Sequence, residues 1–97
     1  MSHRFTPAAR HELLDAVQWY LVEGGPPVAD KFEAAVERAI KLLQFMPLLG
    51  KEDYPGVLTW PLTKFPYTLV YRVVDGEITV LAVAHQSREP GYWVGRR

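Results

Sequence analysis

The apolar positions of this chain fall into two regimes, one of helical spacing up to about residue 50 and one of period two beyond it. Ala9, Leu13, Val17, Tyr20 and Leu21 recur at helical intervals behind Thr6-Pro7. There the threonine hydroxyl can cap free amides, and proline is preset for a first helical turn. Gly24-Gly25 stops this pattern and Pro26-Pro27 restarts the chain. Val28, Phe32, Val36, Ala39, Ile40 and Leu43 then form a second apolar stripe, which runs out at Pro47 and Gly50. So short a break predicts an antiparallel helix hairpin. Ahead of it, His3-Arg4-Phe5 is long enough for a short edge strand.

From Val57 the period changes. Val57 to Leu62 reads as a strand, and Tyr67, Leu69, Tyr71 and Val73 alternate with Thr68, Val70, Arg72 and Val74. Asp75-Gly76 follows as a hairpin turn, since both residue types tolerate positive φ. Glu77 to Ala84 is nearly all apolar, which suits a strand covered on at least part of both faces. The expected fold is α+β in the order β-α-α-β-β-β. The helix hairpin packs on one face of a three- or four-stranded antiparallel sheet, and residues 1–97 form a single domain.

Composition narrows the class. Of 97 residues 48% are apolar, with three Trp, five Tyr and four Phe, enough for a two-layer core and too much for a disordered chain. No cysteine is present, which removes disulfides and thiolate metal sites. His3, His11 and His85 are too scattered for a zinc set, and no metal or cofactor is expected. No stretch approaches the roughly 18 apolar residues of a membrane span, and Met1-Ser2-His3-Arg4 lacks a signal-peptide apolar region. A cytoplasmic protein is therefore expected.

Net charge is zero, from 11 basic and 11 acidic residues, so the chain as a whole has no pull towards nucleic acid. Its halves differ. Residues 1–59 carry six basic and eight acidic side chains, net −2, and residues 60–97 carry five basic and three acidic, net +2. The mildly basic part ends in His85-Gln86-Ser87-Arg88-Glu89-Pro90-Gly91-Tyr92-Trp93, where polar and aromatic groups gather beyond the last strand. A strand end fixes such groups rigidly while the following turn exposes them, which makes this the first candidate site.

Specific residues carry a resemblance along nearly the whole chain, from about Phe5 to Arg96. They are Ala16-Val17-Gln18-Trp19-Tyr20, Phe32-Glu33-Ala34-Ala35-Val36, Pro47 and Gly50, then Phe65-Pro66-Tyr67, Val70-Tyr71-Arg72, and Val80 to His85 followed by Arg88, Pro90 and Tyr92-Trp93. In these the chain resembles the RelE/ParE superfamily of toxins from type II toxin–antitoxin pairs, which include plasmid stabilisation proteins. The resemblance implies the toxin fold and a cognate antitoxin partner. RelE-like toxins cut ribosome-bound mRNA and so inhibit translation, whereas ParE-like toxins poison DNA gyrase without cutting RNA.

The nuclease chemistry names its own candidates. Metal-independent RNA cleavage needs a base for the 2′-hydroxyl, cations for the charge growing at phosphorus and an acid for the leaving oxygen. Arg72, His85, Arg88 and Tyr92 are the catalytic candidates, with Lys64, Trp93 and Arg96 as substrate-binding candidates. Arg88 also matches an arginine that RelE-like enzymes set on phosphate. Each has a plainer reading: Arg72 paired with Glu77 or Asp75, Arg88 paired with Glu89, His85 half-buried at the sheet edge or stacked on Trp93, and Tyr92-Trp93 closing the core.

Two departures keep the alternatives open. Where this superfamily often holds arginines before the Phe-Pro-Tyr motif, this chain reads Gly56-Val57-Leu58-Thr59-Trp60, and only Lys64 lies nearby. The chain is also neutral, whereas RNA binding is dominated by phosphate neutralisation. Expectation thus runs from a ribosome-dependent endoribonuclease, to a non-enzymatic gyrase inhibitor, to an attenuated member that only binds its antitoxin. All three share an expected apolar groove for an antitoxin segment, because Trp19, Tyr20, Trp60 and Trp93 are more large aromatics than a small core readily hides; the plainer reading is that all four are core or half-core.

Overall fold

A computed structural model describes all 97 residues. Strand β1 (Ser2–Phe5) leads into helix α1 (Pro7–Gly24) through Thr6, whose hydroxyl accepts from the Ala9 N–H at 3.1 Å and closes the first turn. Gly25, at φ +82°, alone separates α1 from α2 (Pro26–Phe45). Its N–H donates to the Leu21 carbonyl at 3.1 Å, so one residue ends the first helix and starts the second. Proline at the start of each helix occupies positions where a backbone N–H has no helical partner.

The remaining elements are β2 (Lys51–Tyr54), β3 (Val57–Pro61), β4 (Tyr67–Val74) and β5 (Glu77–His85). They form one sheet of order β1-β5-β4-β3-β2. The Asp75-Gly76 turn joins β4 to β5 with both residues at positive φ, 49° and 74°. Two features extend the expected three or four antiparallel strands to a mixed sheet of five. β1 pairs in parallel with β5, Phe5 opposite Val80, and β2 adds an outer edge beside β3. β2 reads Lys-Glu-Asp-Tyr and is exposed throughout, so it has no buried face to leave a period-two trace.

The helices cover one face of the sheet. Phe32, Val36, Ile40 and Leu43 of α2 meet Leu69, Tyr71, Ile78, Val80 and Val83, while α1 contributes the fully buried Ala9 and Ala16. Small residues on α1 let it lie close to the strands. On the opposite, back face, Val57, Val70, Leu81, Ala82 and Ala84 are roofed by Trp93 from the C-terminal tail. β5 is therefore apolar on both sides, as its composition predicts. A register shift pairs Val70 with Ala82 but Tyr71 with Val80, leaving Leu81 as an extra residue. Leu81 and Ala82 both join the back-face cluster, and Val83 returns to the helix side.

Tyr71 fastens the loop after α2. It is completely buried, donates to the Pro47 carbonyl at 2.8 Å and accepts from the Gly50 N–H at 3.0 Å. No helix is long and apolar enough to cross a membrane.

Candidate functional site

The strand register decides which candidate residues can act together. Tyr67 lies opposite His85 at one end of the β4–β5 pair, and Arg72 lies opposite Thr79 towards the turn. These positions are five residue steps apart along β4, roughly 17 Å at the usual rise of a strand. The faces differ as well. Tyr71 and Val73 pack under the helices, which turns Arg72 to the back, whereas Val83 and the Tyr67–His85 contact lie towards the helix side. Leu81, Val83 and His85 alternate in the sequence, but the extra residue at Leu81 breaks that continuity. The structure therefore does not bring Arg72 to one phosphate with His85 and Arg88.

At the His85 end the groups are close but engaged. The His85 ring packs edge-on against Tyr67 with centroids 5.0 Å apart, not against Trp93. Its Nδ1 accepts from the Ser87 N–H at 3.1 Å, so that nitrogen's lone pair is occupied by the chain's own turn. Arg88 lies 3.9 Å from the centre of the Tyr92 ring, a cation–π contact in place of the expected pair with Glu89. Two shallow concavities of about 270 and 260 Å³ share His85 and Arg88 in their walls.

The Tyr92 hydroxyl is held by a residue the sequence analysis overlooked. It donates to Glu12 Oε2 on α1 at 2.8 Å. Burial, and then the hydrogen bond to the Glu12 carboxylate, push this phenol up to about 12. Glu12 also accepts from both terminal nitrogens of Arg96, at 2.9 and 3.2 Å, and from the Val83 N–H at 3.1 Å. β1 ends at Phe5 opposite Val80, so β5 beyond that point has a free edge. Glu12 satisfies the Val83 donor there, while Arg96 and the Thr6 hydroxyl donate to the Leu81 carbonyl at 3.1 and 3.3 Å. One carboxylate thus ties α1, the β5 edge and the tail together. The available signal was an acid at position 12, directly before Leu13 in the Ala9, Leu13, Val17 stripe.

The substrate-binding candidates fare differently from one another. Trp93 is 5% exposed and belongs to the back-face core, packed edge-on towards Tyr54 at 6.3 Å. Arg96 is committed to Glu12. Lys64 is exposed in the β3–β4 connection at φ +70°, and lines none of the concavities around His85 or Arg72. No group of three or more His, Cys, Asp or Glu side chains converges as a metal set.

The four aromatic residues considered for a groove also divide. Trp19 is 57% exposed on α1, and Trp93 is buried. Tyr20 packs among Phe32, Phe65 and Tyr67 with centroids 5.0 to 6.2 Å apart. Trp60 lines a groove between α2 and β3 with Ala35, Ala39, Leu42 and Leu62, and Arg38 stands at its margin. Beyond it, Phe45 and Leu48 are 83% and 76% exposed, so the apolar surface continues past the end of α2.

A helix hairpin on one face of a mixed sheet, with the tail closing the other, defines the RelE/ParE toxin fold. Residues 3–90 match the profile of the ParE toxin of type II toxin-antitoxin system, parDE. The structure is similar to a chain of the chromosomal ParDE TA system from P. aeruginosa, with TM-score 0.76 and 30% identity over 88% of this chain and 95% of that one. No curated protein matches the sequence. The chain belongs to the ParE toxin family.

Proposed function

We propose that the chain is the toxin of a type II toxin–antitoxin pair, that it acts by binding rather than by cutting RNA, and that its target is DNA gyrase. The observation that carries this reading is the separation of Arg72 from His85, on opposite faces and at opposite ends of the β4–β5 pair, with Arg88 just beyond the His85 end. A phosphorane-like charge needs its cations at one point, and here Arg72 and Arg88 start from opposite ends of the strand pair. His85, Tyr92, Trp93 and Arg96 are occupied by contacts that build the fold, and Arg88 stacks on Tyr92. Tyr92, with its phenol raised to about 12 and hydrogen-bonded to a carboxylate, is a weak acid for a leaving oxygen at neutral pH. Binding to a protein needs none of these roles and suits a neutral chain.

The partner that restrains it is an antitoxin. The α2–β3 groove around Trp60, continued by Leu42 and Phe45, offers a linear apolar surface suited to the apolar face of an amphipathic segment. Supercoiling of relaxed plasmid by purified gyrase, measured beside ribosome-dependent cleavage of a translated mRNA, tests the reading. Blocked supercoiling with intact mRNA is expected. Cleaved mRNA with unaffected supercoiling would overturn it.

A further inference from the structure

On the back of the sheet, beside the Asp75-Gly76 turn, lies a concavity of about 430 Å³ that none of the assignments above uses. Arg4 from β1, Arg72 from β4 and Arg97 from the tail all line it. They are not equivalent. Arg4 lies 3.6 Å from the Glu77 carboxylate, which also accepts from the Ser2 hydroxyl at 3.1 Å, so its charge is met within the chain. Arg72 and Arg97 enter none of the chain's ion pairs, which are Arg4–Glu77, His11–Asp15 and Arg96–Glu12. The register explains why Arg72 is free. The residue opposite it is Thr79, while Glu77 lies opposite Val74 and is held by β1. Thr79 is only 3% exposed, yet it lines the concavity.

Arg72, Leu81 and Arg97 also border a second, smaller concavity of about 160 Å³, whose walls include Tyr54, Pro55, Val57 and Trp93. Arg72 is thus the ridge between a cup lined mainly by polar side chains and one where Tyr54, Val57 and Trp93 stand beside Arg96 and Arg97. In an extended peptide, alternate side chains on one face stand about 7 Å apart, so one short segment can fill both cups. A guanidinium beside a threonine suits a carboxylate. Asp75 and Glu77 in the same lining disfavour a phosphate dianion more than a single carboxylate, and this neutral chain offers no row of cations for a nucleic-acid backbone.

We propose that this back-face groove captures an extended segment of the toxin's protein target, an acidic residue seating against Arg72 and Arg97 and an aliphatic residue two positions away packing on Val57 and Trp93 in the smaller cup. The inference rests on the reading of the toxin as a protein binder and names the surface that it uses. It also separates this surface from the α2–β3 groove assigned to the antitoxin.

Two measurements on the full chain test it. In the first, isotope-labelled toxin is titrated with the capped peptide Ser-Glu-Ser-Leu-Ser, with its Gln counterpart and with inorganic phosphate, following backbone and arginine side-chain resonances. The Glu peptide is expected to shift Arg72, Thr79 and Leu81, the Gln peptide to shift them far less, and Arg97→Glu to weaken the response. Equal shifts from both peptides, shifts centred elsewhere, or full reproduction by phosphate alone would overturn the groove's preference for a carboxylate-bearing segment.

In the second, Arg72→Glu and Arg97→Glu are expected to raise the toxin concentration needed to block supercoiling by about tenfold, the equivalent of one charge-assisted hydrogen bond. Antitoxin affinity should stay unchanged. Arg97 is exposed, so its variant keeps the test decisive if Arg72→Glu folds poorly. Full potency in a folded reversal, with wild type active on gyrase, overturns the groove and leaves the function standing. Wild type inactive on gyrase overturns the function, and the peptide titration still decides the groove.

Discussion

Arg96 clasps Glu12 with both terminal nitrogens, at 2.9 and 3.2 Å, across 84 residues of chain. The side chains are only 24% and 17% exposed, so solvent screens the pair weakly. Removing the carboxylate also strands the Tyr92 hydroxyl and the Val83 N–H, which it accepts from. Glu12→Ala should therefore destabilise the fold by about 2–3 kcal/mol, as expected for a partly buried, multiply bonded charge. Urea unfolding measures it. In a double-mutant cycle, Glu12→Ala with Arg96→Ala should cost clearly less than the sum of the single changes. Strict additivity would mean that the two residues do not act as a pair.

Tyr92 gives this latch a pH limit. Its phenol is raised from the ordinary 10.0 to about 12, first by burial and then by the bond to Glu12. The folded state thus holds this proton more tightly than the unfolded state. The resulting stabilisation is whole below pH 10 and is lost as pH climbs from 10 through 12. Ultraviolet titration of phenolate should show a late step near 12 that disappears in Tyr92→Phe, and the variant should lose stability less steeply over that alkaline interval. A late step that persists in the variant would assign it to another tyrosine.

The hairpin of helices was legible because its signals are local. Thr6-Pro7 and Gly24-Gly25-Pro26-Pro27 act through backbone geometry that the residues themselves impose. Asp75-Gly76 was legible for the same reason. β2 was not, because Lys51-Glu52-Asp53-Tyr54 is held by pairing with β3 alone and buries no face. Neither was the parallel pairing of β1, which depends on where the chain returns some 75 residues later. At the site, the tail's aromatics and cations were visible, but their allegiance was not. The extra residue at Leu81 reassigns faces, and Glu12 lies far away in sequence, so the local pattern gave Arg96 and Tyr92 no visible partner.

Gly50 marks a place where the fold depends on an absent side chain. A Cβ there would lie 2.6 Å from the Tyr71 hydroxyl and 2.8 Å from the Thr59 carbonyl, one of which is backbone that cannot swing away. Gly50→Ala should therefore displace the loop and break the Tyr71 bonds to Pro47 and Gly50. A loss of about 2 kcal/mol or more is expected, with Tyr71→Phe losing about 1–2 kcal/mol by stranding a carbonyl and an N–H. Thermal unfolding of both variants checks the order. A Tyr71→Phe variant less stable than Gly50→Ala would show that the hydroxyl matters more than the space.

His85 separates the two chemistries of the superfamily most directly. It carries the one imidazole of the His85, Arg88, Tyr92 cluster, the side-chain type best suited to both taking and giving a proton, so a nuclease using this end of the sheet would lean on it. Loss of a general acid or base lowers a rate by about 10²–10⁴. The structure gives His85 a different occupation, an edge-on contact with Tyr67 and an acceptor role to the Ser87 N–H. His85→Gln keeps an acceptor near Ser87 and removes the imidazole. Induced in cells without antitoxin, it should arrest growth within about threefold of the wild-type inducer requirement, since a lost surface contact is worth about half a kcal/mol. Purified, it should still block supercoiling. Abolished toxicity in a folded variant that still binds antitoxin would return His85 to the centre of a cleavage reaction, and the binding reading would fall.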